Sequence, residues 1–146
     1  MSSVFRMQGT CVALRDRGVL SAVLLRGPSG AGKSDLALRL IDQGALLVSD
    51  DLVELTPQDG MQIAAAPQTI RGRMEVRGLG IVSVPWVEAA PLALIFDLVA
   101  SDKIERLPEP AFVKIGEIAL PRLALAPFES SAPAKIRVAL QALRGT

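Results

Sequence analysis

Histidine is missing from the 146 residues altogether, and cysteine occurs once, at Cys11. Without histidine there is no Ser-His-Asp or Cys-His catalytic arrangement, and the commonest metal ligand is gone. A lone cysteine excludes an internal disulfide and any zinc cluster built on paired cysteines. Acid–base chemistry therefore falls to Asp, Glu, Lys or Arg. Aromatics are scarce, four Phe and one Trp, too few for a stacking platform along single-stranded nucleic acid. Neither sign of charge is in excess: 16 basic against 15 acidic side chains give a net charge of +1, without the basic surplus that sequence-independent nucleic-acid binding requires. No apolar run approaches the roughly 18 residues of a membrane span, and no basic-then-apolar leader opens the chain. These absences predict a cytoplasmic protein with neither nucleic acid nor membrane as partner, long enough to bury a core.

What the chain does carry is Gly27-Pro28-Ser29-Gly30-Ala31-Gly32-Lys33-Ser34, a full G-x-x-x-x-G-K-S sequence. Before it, Val19 to Leu25 reads as a buried strand; after it, Leu36, Ala37, Leu40 and Ile41 fall on one face of a helix over Lys33 to Gln43. That strand–loop–helix setting is the one a phosphate loop needs. Its glycines let successive N–H groups point inward at anionic oxygens, and the helix adds the positive end of its dipole. The expectation is a nucleoside triphosphate site, with Lys33 on the β- and γ-phosphates and the Ser34 hydroxyl on Mg²⁺. The plainer alternative is a glycine-rich turn that only caps a helix.

Along the rest of the chain, Gln8–Leu14 and Val19–Leu25 form a predicted hairpin across Arg15-Asp16-Arg17-Gly18. Gly44 stands where a helix-ending glycine belongs, and Ala45–Val48 reads as a strand buried on both faces, with Asp50 and Asp51 at its carboxyl end. In open α/β sheets that end faces the ligand crevice. Val53–Thr56 and Met61–Ala66 flank an Asp59-Gly60 turn and read as a peripheral hairpin. Met74–Val84 reads as a strand kinked at Gly78 and Gly80, and Arg71 and Arg73 as solvated loop charges. Pro91–Val99 is a predicted central strand interrupted by Asp97, and Ser101–Pro110 a charged loop. Phe112–Ile115 and Ile118–Leu125 form a last hairpin in which Pro121 requires an edge or a bulge; a helix runs from Ser130-Ser131-Ala132-Pro133 to about Arg144. The predicted fold is α/β: a P-loop nucleotide-binding domain over residues 1–146 with a strand-rich mixed sheet, one helix after the P-loop and a C-terminal helix.

Phosphoryl transfer needs a triphosphate cradle, a metal, a positioned nucleophile and a carboxylate to take its proton. Asp50 and Asp51 are both candidates for base or metal partner, and because successive strand side chains point to opposite faces they divide those roles in an order the residues alone leave open. Arg77 and Arg106 are available to neutralise charge on the transferring group, although a lone arginine more often forms a surface ion pair.

GPSGAGKS, then LVSDDLVEL, then MEVRGLGIVSV, in unbroken order between about Gln8 and Leu125, resembles the HPr kinase/phosphorylases. These bacterial enzymes use ATP to phosphorylate a serine of the phosphocarrier protein HPr, and many also remove that phosphate. The resemblance implies that Gly27 to Ser34 hold ATP, that Lys33, Asp50 and Arg106 are catalytic with Asp50 as proton acceptor, and that Ser34 and Glu75 bind Mg²⁺ with Asp51 supporting the metal or the base. It also implies HPr as protein partner and a homo-oligomer, a hexamer. Three departures stand out: Gln8 occupies the place of a family histidine; the separate N-terminal domain and longer helical C-terminus of the long form are not in this sequence, which reads as the short proteobacterial form; and Ala126-Pro127-Phe128-Glu129-Ser130-Ser131 replaces a basic, glycine-containing loop tied to phosphorolysis. Kinase activity is thus expected to outweigh phosphorylase activity. The alternatives are a P-loop small-molecule kinase and a non-catalytic ATP-binding sensor.

Overall fold

The protein, seen here as a computed structural model, is described over residues 3–144. β1 (Phe5–Gln8) is followed by a hairpin of β2 (Thr10–Asp16) and β3 (Val19–Arg26), in which Asp16 faces Val19 across an Arg17-Gly18 turn. The glycine-rich loop then leads into α1 (Lys33–Asp42). After it come β4 (Leu46–Ser49), β5 (Leu52–Gln58) and β6 (Met61–Ala65), then a short pair, β7 (Arg73–Val76) and β8 (Gly80–Ser83). The long β9 (Ala89–Leu98), the hairpin β10 (Ala111–Ile115) and β11 (Ile118–Leu125), and α2 (Ala132–Arg144) complete the chain.

The main sheet is mixed, with strands in the order β1-β5-β6-β9-β3-β2-β4. β9 is its spine. One edge of β9 runs parallel to β3; the other is shared, first by antiparallel β6 at Ala89–Pro91 and then by parallel β11 at Ile95–Leu98. Because β6 and β11 divide that edge, the sheet splits into two wings that curl about β9. α1 and α2 cover one face, where Val12, Val23, Leu25, Leu47 and Phe96 pack against Leu36, Leu40, Ile136 and Leu140. On the opposite face Cys11, Ala13, Ala22 and Leu24 pack against Val53, Leu55 and Ala64 from the β5–β6 wing. Alternate residues of β2 and β3 thus enter different cores, and both strands read as unbroken apolar runs for that reason. Cys11 is fully buried, and burial pushes its thiol far above the ordinary cysteine range, so it is a packing residue rather than a nucleophile.

Several expectations change in detail. The hairpin over residues 52–65 is not peripheral: β5 lies between β1 and β6, and its Val53 and Leu55 close the second core. The stretch expected to be one kinked strand is two antiparallel strands, because positive φ at Gly78 and Gly80 reverses the chain and the Leu79 N–H donates to Val76 O at 2.9 Å. Pro121 is accommodated as anticipated. It pairs with Phe112 on β10, and the second ladder of β11, onto β9, begins only at Arg122. On α2, Ile136 and Leu140 are buried while Leu143 is exposed. Arg71 forms an ion pair with Glu88 at 3.3 Å.

Gly9 joins β1 to β2 at a point that admits no side chain. Its φ is 150°, and a Cβ there would lie 2.7 Å from the Leu25 carbonyl oxygen and 2.8 Å from Leu24 Cδ1. Gly9→Ala is expected to lower stability by about 2 kcal/mol through backbone strain and this clash. The loss should appear as a lower urea midpoint at unchanged m-value; a variant as stable as the parent would show that the junction relaxes freely.

Candidate functional site

Antiparallel pairing of β2 with both β3 and β4 makes β3 and β4 parallel, with β2 inserted between them. β9 also runs parallel to β3. The carboxyl ends of β3, β4 and β9 and the amino end of β2 therefore gather on one rim of the sheet. On that rim lie the glycine-rich loop after Arg26, Asp50 after β4, Asp97 near the end of β9, and Thr10 at the start of β2. The strand–helix–strand unit expected around the loop is present, but its two strands are separated by one, and the intervening strand contributes a side chain to the site.

Around Gly27–Ser34 the chain folds back on itself. The Ala31 N–H donates to Pro28 O at 3.0 Å, Gly32 caps α1 in a left-handed conformation (φ 98°), and the first helical bond runs from the Leu36 N–H to Gly32 O. The N–H groups of the first turn before Leu36 have no carbonyl of their own helix to meet, and the dipole of α1 adds positive potential at that point. Lys33 curls over the loop, its Nζ donating to Gly27 O at 2.6 Å and Pro28 O at 3.0 Å. At the base, Arg26 pairs with Asp97 through two hydrogen bonds of 2.8 and 3.2 Å, and Arg122 Nε lies 3.7 Å from the same carboxylate. This bidentate pair ties the last residue before the loop to β9.

Asp50 is where the elements meet. Its Oδ1 accepts the Thr10 hydroxyl at 3.1 Å and the Ser34 hydroxyl at 3.3 Å, and its Oδ2 accepts the Glu75 N–H at 3.1 Å. Asp51 differs in kind. It is exposed, has φ 70°, takes the Gly9 N–H on its carbonyl at 3.0 Å, and its carboxylate makes no hydrogen bond among the described residues. Asp50 thus faces the loop, while the Asp51 carboxylate lies outside this hydrogen-bonded cluster.

The expected site residues accordingly divide. Gly27 to Ser34, Lys33, Asp50 and Glu75 come together, although Glu75 is joined through its main chain while its carboxylate is exposed. Arg106 lies on the exposed 104–110 loop and makes no hydrogen bond or ion pair with the cluster among the described residues. Sequence reasoning missed Thr10, whose partner is 40 positions away, and the Arg26–Asp97 pair, for which the lone charge in an apolar strand was the available signal. Among the described residues no three carboxylates or thiols are preassembled as a metal cage. The hard oxygens of Ser34, at the helix N-terminus, and of the exposed Glu75 carboxylate, whose strand Asp50 ties to the same cluster, nevertheless suit Mg²⁺, which takes few protein ligands and completes its shell with phosphate and water oxygens. An apolar cavity of about 380 Å³, lined by Leu94, Pro108, Phe112, Leu123 and Leu143 among others, sits on a different part of the surface, between the 108–112 segment and α2.

A mixed α/β domain here sets a glycine-rich strand-to-helix loop against a strand-end aspartate, an arrangement suited to holding an anionic group at a helix N-terminus. The sequence profile of the HPr Serine kinase C-terminal domain matches residues 1–89, and the chain belongs to that family. It is 42% identical over 80 residues to the HPr kinase/phosphorylase of Clostridium tetani (strain Massachusetts / E88), covering 55% of this chain and 25% of that protein. With the HPr kinase/phosphorylase of Bordetella pertussis (strain Tohama I) it shares 43% identity over 97 residues, 59% of this chain and 32% of that one. The matches thus span about a quarter to a third of these curated relatives. In shape the chain is similar to the Hpr(Ser) kinase/phosphatase from Coxiella burnetii, with a TM-score of 0.81, 25% identity and 96% of each chain covered. No helix among the described residues is long and apolar enough to cross a membrane.

Asp50→Ala should free the Glu75 amide. A hydrogen bond to a charged acceptor contributes about 1.5–3 kcal/mol, so hydrogen exchange at Glu75 is expected to accelerate about tenfold or more. The Val99 amide, bonded to Leu125 O away from the cluster, serves as reference and should not change. Unaltered exchange at Glu75 would mean that Asp50 does not hold β7.

Proposed function

We propose that this chain binds ATP with Mg²⁺ and transfers the γ-phosphoryl group to a serine hydroxyl of the phosphocarrier protein HPr. The observation that carries the reading is the Asp50 carboxylate, held by Thr10, Ser34 and the Glu75 N–H beside a glycine-rich loop at a helix N-terminus. A carboxylate offers about four lone-pair sites. Oδ1 accepts two hydrogen bonds and Oδ2 one, so Oδ2 keeps a site for the proton of an incoming hydroxyl. Loop N–H groups and the α1 dipole would bind the phosphates. Lys33, held by two main-chain carbonyls, would exchange them for the more strongly charged β- and γ-phosphate oxygens. Ser34 and the Glu75 carboxylate would hold Mg²⁺, which when bound offsets triphosphate charge, and Asp51 would support the site from outside the hydrogen-bonded cluster. Arg106, on its exposed loop, would neutralise the transferring group once the acceptor has docked. Membership of the family and the names of the relatives support HPr as acceptor.

The reverse reaction, phosphorolysis of phosphoserine, is expected to be slow. It brings a second multiply charged anion into the site and so needs extra cationic donors. The loop over 126–131 carries Glu129, whose carboxylate is already paired with Lys135 at 2.8 Å, and no cation of its own.

The test is transfer of labelled phosphate from ATP to HPr, with a metabolite pool as the competing acceptor. Phosphoserine on HPr is expected. Lys33→Ala and Asp50→Asn should each lower turnover by about a hundredfold or more, the scale of a lost positioned base or charge. Asp50→Asn should leave ATP binding nearly intact, and Glu75→Gln should raise the Mg²⁺ needed for half-maximal rate. Full turnover by Asp50→Asn would remove Asp50 as the base, and labelled metabolite without labelled HPr would make this a small-molecule kinase.

A further inference from the structure

Beside the glycine-rich loop stands an aromatic ring that the chemistry above does not use. Phe128 is 70% exposed, in the turn between β11 and α2, yet that turn is firmly built. The neighbouring Pro127 is buried, and Arg39 of α1 donates to main-chain carbonyls on both sides of Phe128, those of Pro127 and of Glu129. Asp35 orients Arg39 from one turn earlier at 3.1 Å. The Glu129 side chain is drawn aside onto Lys135. A large apolar side chain is thus held out to solvent by a rigid frame, open for a ligand to cover.

Its location says what. A Cβ built on Gly32 would lie 2.9 Å from Phe128 Cζ and 3.0 Å from Cε1, so the ring rests on the bare backbone of the loop itself, and Gly32 is the residue that permits this. A phosphorylated ligand seated in that loop would have this ring within reach of its organic part. Resting on the nucleotide reading given above, we propose that Phe128 is the platform on which the nucleobase stacks, positioned by Arg39. The side chains next to the ring are a carboxylate already engaged and a serine at 130, so hydrogen-bond readout of the base edge has little to work with. Stacking is tolerant of base identity because every base has a π-face. The platform therefore adds affinity for nucleotides over bare polyphosphate, and adenine and guanine are held about equally.

The experiment is calorimetric titration of the whole chain with Mg²⁺-ATP, Mg²⁺-GTP and Mg²⁺-tripolyphosphate. The parent should bind both nucleotides more tightly than tripolyphosphate. Phe128→Ala should weaken ATP and GTP by about fivefold or more, the lower end of base–aromatic stacking measured by alanine substitution, and leave tripolyphosphate unchanged. Phe128→Trp, which keeps a ring on the same turn, should restore nucleotide binding; because residue 128 is exposed, neither variant should alter the melting temperature. Unchanged ATP affinity in Phe128→Ala, or equal losses for ATP and tripolyphosphate, would overturn the platform while the phosphate cradle stands. Failure of the parent to bind any of the three would overturn the nucleotide reading and the platform together.

Discussion

One carboxylate binds together parts of the chain that sequence separates widely. Thr10, Ser34 and Glu75 come from the start of β2, the first turn of α1 and β7, and each donates to Asp50. The dependence is mutual. Thr10 is buried, so its hydroxyl needs an acceptor, and a buried donor left unpaired costs about 1–3 kcal/mol. The main chain beside Asp50 is bent to keep that acceptor in place: the Leu52 N–H turns back to the Asp50 carbonyl at 2.8 Å, and Asp51 takes up a positive φ that side chains rarely adopt. Strain of this kind persists only where surrounding contacts over-determine it, and here Gly9, Thr10 and Glu75 do so from two sides.

The rim on which this happens exists because the sheet is buried on both faces. α1 and α2 cover one face, and the curled β5–β6 wing covers the other, so β2, β3 and β9 are held rigidly in the middle. Their ends are then the natural place for exposed, polar and strained backbone, since loops there need not fill a core. The Arg26–Asp97 pair serves the same purpose at the foot of the loop: two parallel hydrogen bonds set the angle at which the chain leaves β3 before the glycines begin.

How much of this could be read in the sequence follows from what each feature demands of composition. A loop that turns its N–H groups inward restricts its residues severely, and Gly27 to Ser34 announces itself. Apolar periodicity reports that a segment is buried, and both helices and nearly all the strands of the main sheet fall where it puts them. Periodicity does not report against what a segment is buried, which is why the β5–β6 hairpin reads as peripheral although it closes a core. Nor does it show that the chain reverses at Gly78–Gly80, since a kink and a turn both call for glycine. Thr10 carries no local signal at all, because its role depends on β2 being inserted between β3 and β4. Asp50 and Asp51 are equivalent on paper; a positive φ at one of them separates their directions.

The two kinds of similarity to known proteins differ in reach, and the difference has a physical basis. The family profile stops at residue 89, at the first residue of β9, whereas likeness of shape continues over 96% of the chain at 25% identity. The matched part contains the loop, α1, Asp50 and β7, where main-chain geometry and a handful of polar contacts leave few residues acceptable. What lies beyond it, β9 to α2, contributes mostly apolar burial, with Asp97 at the foot of the loop as an exception, and many combinations of Leu, Ile, Val, Ala and Phe pack a given space with little loss. Apolar chain of that kind can hold its shape through substitution. Phe128 lies beyond residue 89 yet rests on Gly32 within the matched part, through a turn that Arg39 of α1 holds in place. That contact and the Arg26–Asp97 pair are where the chain beyond residue 89 meets the glycine-rich loop, and neither uses a hydrogen bond on which Asp50 depends.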